Sequence, residues 1–236
     1  VAERFIEGQK VEIYDYRLAS ISDFFPEDGS NWTELRGLCF VEKPDGTWKR
    51  NLLMQKFFNI NQTKGWMEAD VKDKKIVGLA DKCDGSIISF VKFSNGVVRA
   101  KSKTSFDSDQ AKMAQEVYDT NEDIKTFVNW TLSFQLTAIF ELVGFENCIV
   151  LNYKEPYKLI LLQIRKKDGE YINHSDTIDI LNNDGINPWN IETAEQFPVS
   201  MMNLYDLLAR KELDQSEIEG WVVTFEDRQM AKIKTN

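Results

Sequence analysis

The sequence predicts an α+β fold in which antiparallel sheets are flanked by helices. Apolar runs compatible with strands recur along the 236 residues and are joined mostly by short turn signals, without a regular alternation of strands and helices. Helical periodicity is concentrated in the middle of the chain. With 42% hydrophobic residues, a chain of this length can bury one sizeable core, or a core and a small appendage.

The first hundred residues predict a strand and two hairpins. Residues 10–20 begin with the alternation of apolar and polar side chains that is typical of a strand. Residues 35–53 predict a hairpin that turns at the Pro-Asp-Gly of 44–46. Residues 86–102 predict a second hairpin that turns at the Asn-Gly of 95–96.

Two helices are predicted in the centre of the chain. Residues 108–119 hold good helix formers behind an acidic start, and residues 120–134 carry apolar side chains at helical spacing. Thr120 and Asp123 have the spacing of a capping box, so we expect the second helix to begin at Thr120. Because each helix has an apolar face, we expect both to pack on a sheet.

The remaining elements follow in the order expected for a mixed fold. Three apolar runs predict strands, a later amphipathic run predicts a helix, and two final runs predict a hairpin. The strands are expected at 136–143, 148–153 and 158–166, the helix at 200–213, and the hairpin at 219–227 and 229–235.

Composition excludes several classes of protein. A net charge of −9 argues against a protein that coats nucleic acid, although an acidic body can carry a local basic pocket. No apolar run approaches about 18 residues and no signal peptide is evident, so we expect a cytoplasmic protein without a membrane partner. Cys39, Cys83 and Cys148 form no CxxC pair, which indicates a reducing compartment and neither a disulfide framework nor a zinc site.

The single histidine limits the possible chemistry. A histidine-rich metal site is impossible, and a Ser-His-Asp triad would have to use His174. This residue lies in the polar stretch YINHSD, which reads as a solvated loop. We therefore expect His174 to have no catalytic role.

Ionisable side chains inside apolar runs are the most informative feature, because a buried charge must be paired or functional. Taken one at a time, they also fit ordinary roles: lysines that protect a sheet edge, a structural ion pair, or a solvated strand face. Lys82 is expected to open a strand, and Lys232 and Lys234 to share one strand face. The full set is Lys82, Lys101, Lys103, Glu141, Glu219, Lys232 and Lys234.

Together these charges predict one cleft that binds a nucleoside triphosphate. Lysines neutralise phosphates, while glutamates accept a ribose hydroxyl or hold a divalent metal. The chain has no GxxxxGK[ST] and no GxGxxG motif. Side chains, and not a glycine-rich loop, would therefore hold the phosphates.

Seven short motifs occur in a recognisable order. They are Arg-Gly at 36–37, Lys-Phe-Phe-Asn at 56–59, K-x-D-G at 82–85, S-K at 102–103, F-E at 140–141, E-G-W-V at 219–222 and K-x-K at 232–234. From about Tyr14 to Lys234 the chain resembles the covalent nucleotidyltransferase superfamily, and within it the phage-type RNA ligase 1 family of ATP-dependent RNA ligases. The resemblance implies an adenylyltransferase domain over 1–236, without the family's C-terminal domain. It also implies an ATP-grasp-like fold with the active-site cleft between its antiparallel sheets and flanking helices.

The resemblance also implies a role for each motif. Lys82 would be the nucleophile, Asp84 and Gly85 would shape the loop beside it, Glu141 would hold the ribose, and Glu219 would help to bind Mg²⁺ or Mn²⁺. The phosphates or the adenylate would be contacted by Arg36, Lys56, Lys103, Lys232 and Lys234, the last two also stabilising charge in the transition state.

The implied reaction is RNA ligation. Lys82 would take AMP from ATP, AMP would pass to an RNA 5′-phosphate, and a 3′-hydroxyl would seal the strand. Partial burial and the cations Lys232 or Lys234 are expected to favour the neutral form of Lys82. The implied partner is RNA with these ends, nicked tRNA among them, and the implied protein is a monomer in RNA repair, with a phage gene as one origin.

Two alternatives stay open. A DNA ligase or a capping-type nucleotidyltransferase would use the same chemistry on another polynucleotide or nucleotide. A nucleotide- or RNA-binding module would use the same surface without chemistry.

Overall fold

The structure is a computed structural model that describes residues 1–144, 157–182, 185, 188–199, 203–213 and 219–234. Its elements, in chain order, are β1 (Ala2–Ile6), β2 (Gln9–Tyr14), β3 (Leu38–Glu42), β4 (Trp48–Asn51), β5 (Phe58–Asn59), α1 (Glu68–Val71), β6 (Ile76–Asp81), β7 (Ser86–Lys92), β8 (Val98–Lys101), α2 (Asp109–Thr120), α3 (Glu122–Ser133), β9 (Thr137–Val143), β10 (Lys158–Arg165), α4 (His174–Asn182), α5 (Leu204–Leu213), β11 (Gly220–Phe225) and β12 (Met230–Lys234). The mixed α+β class with antiparallel sheets is confirmed.

The chain forms two compact units. The first unit contains the described residues within 1–56, 85–144 and 157–193. The second contains the described residues within 57–84 and 194–234. The K-x-D-G motif contains residues of both units. Lys82 and Asp84 belong to the second unit, and Gly85 belongs to the first.

One sheet of the first unit is built from the N-terminal strands in the order β1-β2-β3-β4, all antiparallel. Alternation along β2 and β3 turns Val11, Ile13, Cys39 and Val41 to one buried face. The predicted turn between β3 and β4 is confirmed, and Gly46 there has a φ of +79°, a conformation that glycine adopts without strain.

The other sheet of the first unit has the order β10-β9-β7-β8 and carries the two central helices. The apolar faces of α2 and α3 bury side chains such as Phe127 against Phe90 and Phe140 of the sheet. Burial of each such side chain contributes about 1.5–3 kcal/mol. The prediction that these helices pack on a sheet is confirmed.

The start of α3 differs from the prediction. Asn121 is the N-cap, and its side chain accepts a hydrogen bond from the backbone N–H of Ile124 at 3.0 Å. Thr120 instead ends α2, where its hydroxyl donates to the carbonyl of Glu116 at 2.7 Å. The Thr120 capping box is therefore wrong, because asparagine caps a helix at least as well as threonine and lies one residue later.

The second unit has the sheet order β5-β12-β11-β6, with β5 parallel to β12 and the other pairs antiparallel. The predicted final hairpin is thus confirmed. Alternate residues of β11 and β12 form an apolar face that packs against α1 and α5. These residues are Trp221, Val223, Phe225, Ala231 and Ile233.

Other predictions meet the structure in different ways. The stretch around His174 is not a loop, since His174 begins α4 and the Asn173 side chain accepts from the backbone N–H of Asp176 at 2.8 Å. Because the helix begins with polar residues, the sequence did not predict it.

Two further predictions are only partly covered by the structure. The strand expected at 148–153 lies outside the described residues, and the helix expected at 200–213 is described from Leu204. In the part of the chain described, none of the helices has the length and apolar character needed to cross a bilayer.

Candidate active site

Lys82 lies directly after β6 in the second unit. Its backbone N–H donates to the carbonyl of Gly220 at 2.9 Å, which fixes it beside the start of β11. The expectation that Lys82 opens a strand is wrong, because the Asp-Gly turn intervenes and β7 begins only at Ser86. The side chain is 18% exposed.

Glu219 brings two of the predicted lysines together. It lies immediately before β11, and its side chain is 7% exposed. The ammonium group of Lys82 contacts one carboxylate oxygen of Glu219, and Nζ of Lys234 lies 2.9 Å from the other. A single, nearly buried carboxylate is therefore shared between two cations.

This pairing differs from the expected environment of the nucleophile. Neighbouring cations were expected to repel the charge on Lys82, but its direct neighbour is the carboxylate of Glu219. The structure therefore pairs Lys82 with an anion at this position.

The K-x-K motif places both lysines on one strand face, as predicted. Ala231 and Ile233 point to the buried face of β12, so Lys232 and Lys234 point to the opposite face. Nζ of Lys232 lies 4.7 Å from the ring centroid of Phe57, a cation–π distance. The motif is thus anchored at Lys232 and ion-paired at Lys234.

Further acidic groups lie near Lys82 in sequence. Asp84 is 2% exposed. Asp81 has a buried Oδ1 without a hydrogen-bond partner among the described residues. Burial, and then repulsion from Glu195, raises the pKa of Asp81. The described residues contain no group of three or more His, Cys, Asp or Glu side chains arranged to hold a metal ion.

Arg36, Lys56 and Lys103 form a basic cluster in the first unit. Nζ of Lys56 and of Lys103 lie 5.9 and 5.0 Å from the ring centroid of Tyr16. Burial lowers the pKa of Lys56, and the charges of Arg36 and Lys103 lower it further. Lys103 also pairs with Asp15 at 3.1 Å. Sequence reasoning missed Asp15 and Tyr16, which lie within the stretch 10–20 and directly follow β2.

Lys101 has a different environment from its neighbour Lys103. It is 0% exposed, although β8 is an edge strand, so it is not a solvated charge that protects the sheet edge. Its Nζ donates to the carbonyls of Gly37 and Ser102 at 3.0 Å each, and to that of Lys103 at 3.4 Å. Burial lowers the pKa of Lys101 from its ordinary value of 10.5 to about 8.

The lowered pKa of Lys101 predicts a pH dependence of stability. Between pH 8 and 10.5 the unfolded chain keeps a proton that the folded chain has lost, so raising the pH favours folding. We expect the free energy of unfolding of the wild type, minus that of Lys101→Met, to rise by about 3 kcal/mol across this window. Denaturant titrations at pH 7, 8, 9 and 10 measure this difference. A difference that does not change with pH would contradict the prediction.

Two motif glycines are required by close backbone approaches. A Cβ at Gly85 would lie 2.1 Å from the carbonyl oxygen of Leu142 and 3.2 Å from Cγ of Glu141. Glu141 itself lies on β9, paired with strands on both sides. A Cβ at Gly220 would lie 2.1 Å from the carbonyl oxygen of Ile233, and Gly220 has a φ of +146°. Neither position can accept a side chain without moving a strand.

Gly220→Ala should therefore disturb the site directly. The added methyl group must push β11 from β12, moving Glu219 and the carbonyl that anchors Lys82. We expect the rate of nucleotide transfer to Lys82 to fall roughly 10²-fold, the effect of a displacement of about 1 Å at a reacting group. Gly96→Ala is the control, because a Cβ there meets open space, although its positive φ is also strained. Equal rates for both variants would contradict the prediction.

Comparison with solved structures defines the class of protein. An archaeal ATP-dependent RNA ligase superposes with a TM-score of 0.66 at 12% identity, covering 99% of this chain and 58% of that one. A variant of an RNA ligase from Naegleria gruberi, solved with ATP and Mn, gives a TM-score of 0.57 at 13% identity, covering 77% of this chain and 56% of that one. The chain therefore shares its fold with part of these RNA ligases.

The sequence then identifies the family. A family model described as RNA ligase, of the phage T4 type 1, matches residues 34–236. The chain belongs to the phage-type RNA ligase 1 family. A curated protein of Thermovibrio ammonificans, described as a candidate RNA ligase, is 29% identical over 140 residues, or 59% of this chain and 36% of that protein. The chain thus matches about a third of this curated relative and little more than half of the solved ligases.

Proposed function

We propose that this chain carries out the nucleotide-transfer chemistry of an ATP-dependent RNA ligase. The observation that carries the proposal is the arrangement of Lys82, Glu219 and Lys234 in a chain of the RNA ligase family. A lysine held at a fixed position beside an acid and a second lysine fits covalent catalysis on a phosphorylated substrate.

In the first proposed step, Nζ of Lys82 attacks the α-phosphorus of ATP. An N–P bond forms, the bond to pyrophosphate breaks, and Lys82 gives up its protons to water, leaving a lysyl-AMP phosphoramidate and free pyrophosphate. Glu219 is the residue that would hold Mg²⁺ or Mn²⁺, and the ion would neutralise charge on the triphosphate.

The other predicted residues receive roles consistent with their positions. Lys232 and Lys234 would stabilise negative charge on the phosphoryl oxygens in the transition state. Glu141 would accept a hydroxyl of the ribose, and Asp84 and Gly85 would shape the chain beside the nucleophile. The basic cluster of Arg36, Lys56 and Lys103 would bind phosphates of ATP or of the adenylated intermediate.

The later proposed steps use RNA. AMP moves from Lys82 to a 5′-phosphate end, and a 3′-hydroxyl then attacks the activated phosphate and releases AMP. Family membership supports RNA as the polynucleotide. Nicked tRNA, and hence a role in tRNA repair, fits a substrate with these two ends.

The proposal is tested by adduct formation. The protein is incubated with ATP or GTP labelled on the α-phosphate, with Mg²⁺ or Mn²⁺, and run on a denaturing gel. We expect label from ATP that is released by acid and by added pyrophosphate. The isolated adduct is then offered RNA or DNA with a 5′-phosphate, and we expect AMP to move to RNA.

Each alternative has its own result in this experiment. Preferential labelling by GTP would indicate a capping-type enzyme, and transfer to DNA alone would indicate a DNA ligase. ATP binding without label, at any pH or metal, would overturn the proposal in favour of a binding module.

A further inference from the structure

We propose that Lys101 is a positioning residue whose buried ammonium group holds together the two chain segments that carry Arg36 and Lys103. This inference rests on the proposed function, because it concerns how the basic cluster is kept in place for phosphate binding. The ammonium group of Lys101 does not bind the charged side-chain groups of Arg36, Lys56 or Lys103. Its three hydrogen bonds all go to backbone carbonyls.

The three acceptors come from the two segments that need to be joined. The Gly37 carbonyl, 3.0 Å from Nζ, belongs to the residue directly after Arg36. The carbonyls of Ser102 and Lys103, at 3.0 and 3.4 Å, belong to the segment after β8. One ammonium group thus links the backbone at Arg36 to the backbone at Lys103.

The convergence of carbonyls requires a hydrogen-bond donor. Three carbonyl oxygens directed at one buried point repel each other and are removed from water, and an ammonium group can donate to all of them. The ionisable groups that face Lys101 are Cys39 on β3 and Asp15, the residue directly after β2. Both act on Lys101 as negative charges only when ionised, and burial raises the pKa of Cys39 to about 11. A side chain at position 101 without an N–H or O–H group would leave the carbonyls without a donor.

Two neighbouring features hold the carbonyls in this arrangement. A Cβ at Gly37 would lie 2.5 Å from the carbonyl oxygen of Lys103, so the two segments are in direct backbone contact only because residue 37 is glycine. On the other side, the Ser102 backbone N–H and hydroxyl both donate to the carbonyl of Ser105, at 2.9 and 3.0 Å. The segment after β8 is therefore held by the hydrogen bonds of Ser102 to Ser105 and by the hydrogen bonds from Lys101.

The test is a double-mutant cycle on the first step. The rate of lysyl-AMP formation, divided by the ATP concentration at half-saturation, is measured for the wild type, Lys101→Met, Lys103→Ala and the double variant. We expect Lys101→Met to lower this ratio roughly 30-fold, mainly through weaker ATP binding. If Lys101 acts through Lys103, the double variant should lie within about threefold of Lys103→Ala. Effects that multiply would overturn the inference.

A core variant separates positioning from general stability. Val128→Ala removes buried methyl groups from α3, away from the basic cluster in sequence and in its own core. We expect it to lower the melting temperature and leave the first-step ratio within about twofold of the wild type, whereas Lys101→Met lowers both. An equal loss of the ratio in both variants would show that Lys101 is merely structural.

Amide hydrogen exchange tests the inference independently of activity. In Lys101→Met we expect faster exchange in peptides covering 36–38 and 102–106, with α3 unchanged. If the wild type forms no adduct, the proposed function fails, and hydrogen exchange still decides whether Lys101 joins the two segments. Unchanged exchange in both peptides would overturn the inference even where the adduct forms.

Discussion

Lys82→Ala is expected to abolish labelling of the protein by α-labelled ATP. The covalent intermediate needs a nitrogen nucleophile at this position, so we expect the rate of adduct formation to fall by more than about 10³-fold. The same variant should still bind ATP, because the residues proposed to hold the nucleotide, among them Glu141, Lys232 and Lys234, are unchanged. Gel labelling and equilibrium binding of ATP, measured side by side, separate lost chemistry from lost binding.

Two further variants sharpen this result. Lys82→Arg keeps a positive charge that can pair with Glu219 but offers no competent nucleophile, so it should be as inactive as Lys82→Ala. Lys72→Ala removes an exposed lysine that follows α1 in the same unit and should be labelled like the wild type. Labelling of Lys82→Ala at the wild-type rate would show that the nucleophile lies elsewhere.

The strand that carries the K-x-K motif could be predicted from the sequence, whereas Lys82 and Glu219 lie just outside strands. Alternation alone puts Lys232 and Lys234 on one face of β12, and the structure has them there. The contact of Lys82 with Glu219 could not be predicted, because the two are 137 positions apart and meet only through the pairing of β6 with β11. The sequence pattern shows which charged residues lie in apolar surroundings, and the register of the paired strands determines which of them are in contact.

Buried cations are the part of the site that local sequence describes least well. Lys101 and Lys103 occupy alternate positions in RAKSKTS, yet one is fully buried and the other is half-buried. The difference arises from the Gly37 segment, which covers Lys101 and supplies a carbonyl. Arg165 closes a strand that was correctly predicted, but nothing in its neighbours signals burial. In both cases backbone carbonyls are among the partners, and they leave no trace in the sequence.

Arg165 should contribute more to stability than any other charged side chain described. It is 1% exposed and pairs with both carboxylate oxygens of Glu34, at 2.9 and 2.8 Å. It also donates to the carbonyls of Leu53 at 2.5 Å and of Gly169 at 3.0 and 2.7 Å. Its guanidinium carbon lies 4.5 Å from the ring centroid of Tyr171. One side chain thus joins three separate segments of the first unit.

Arg165→Met is therefore expected to lower the free energy of unfolding by about 3–5 kcal/mol. Removing the guanidinium leaves the carbonyls of Leu53 and Gly169 without its hydrogen bonds, and each buried polar group left unpaired costs about 1–3 kcal/mol. Denaturant unfolding measures it. Glu34→Gln is the matched variant, and since Glu34 is 37% exposed we expect a smaller loss of about 1 kcal/mol. A change below about 0.5 kcal/mol for Arg165→Met would contradict the prediction.

The Arg165 network should also affect the basic cluster. Glu34 lies two residues before Arg36, and the hydroxyl of Tyr171 accepts from the backbone N–H of Gln55 at 3.0 Å, one residue before Lys56. Loss of Arg165 should therefore weaken ATP binding as well as stability. If Glu34 acts only through Arg165, the double variant should lose less free energy of unfolding than the sum of the losses in Arg165→Met and Glu34→Gln. Additive effects would mean that each residue supports the first unit on its own.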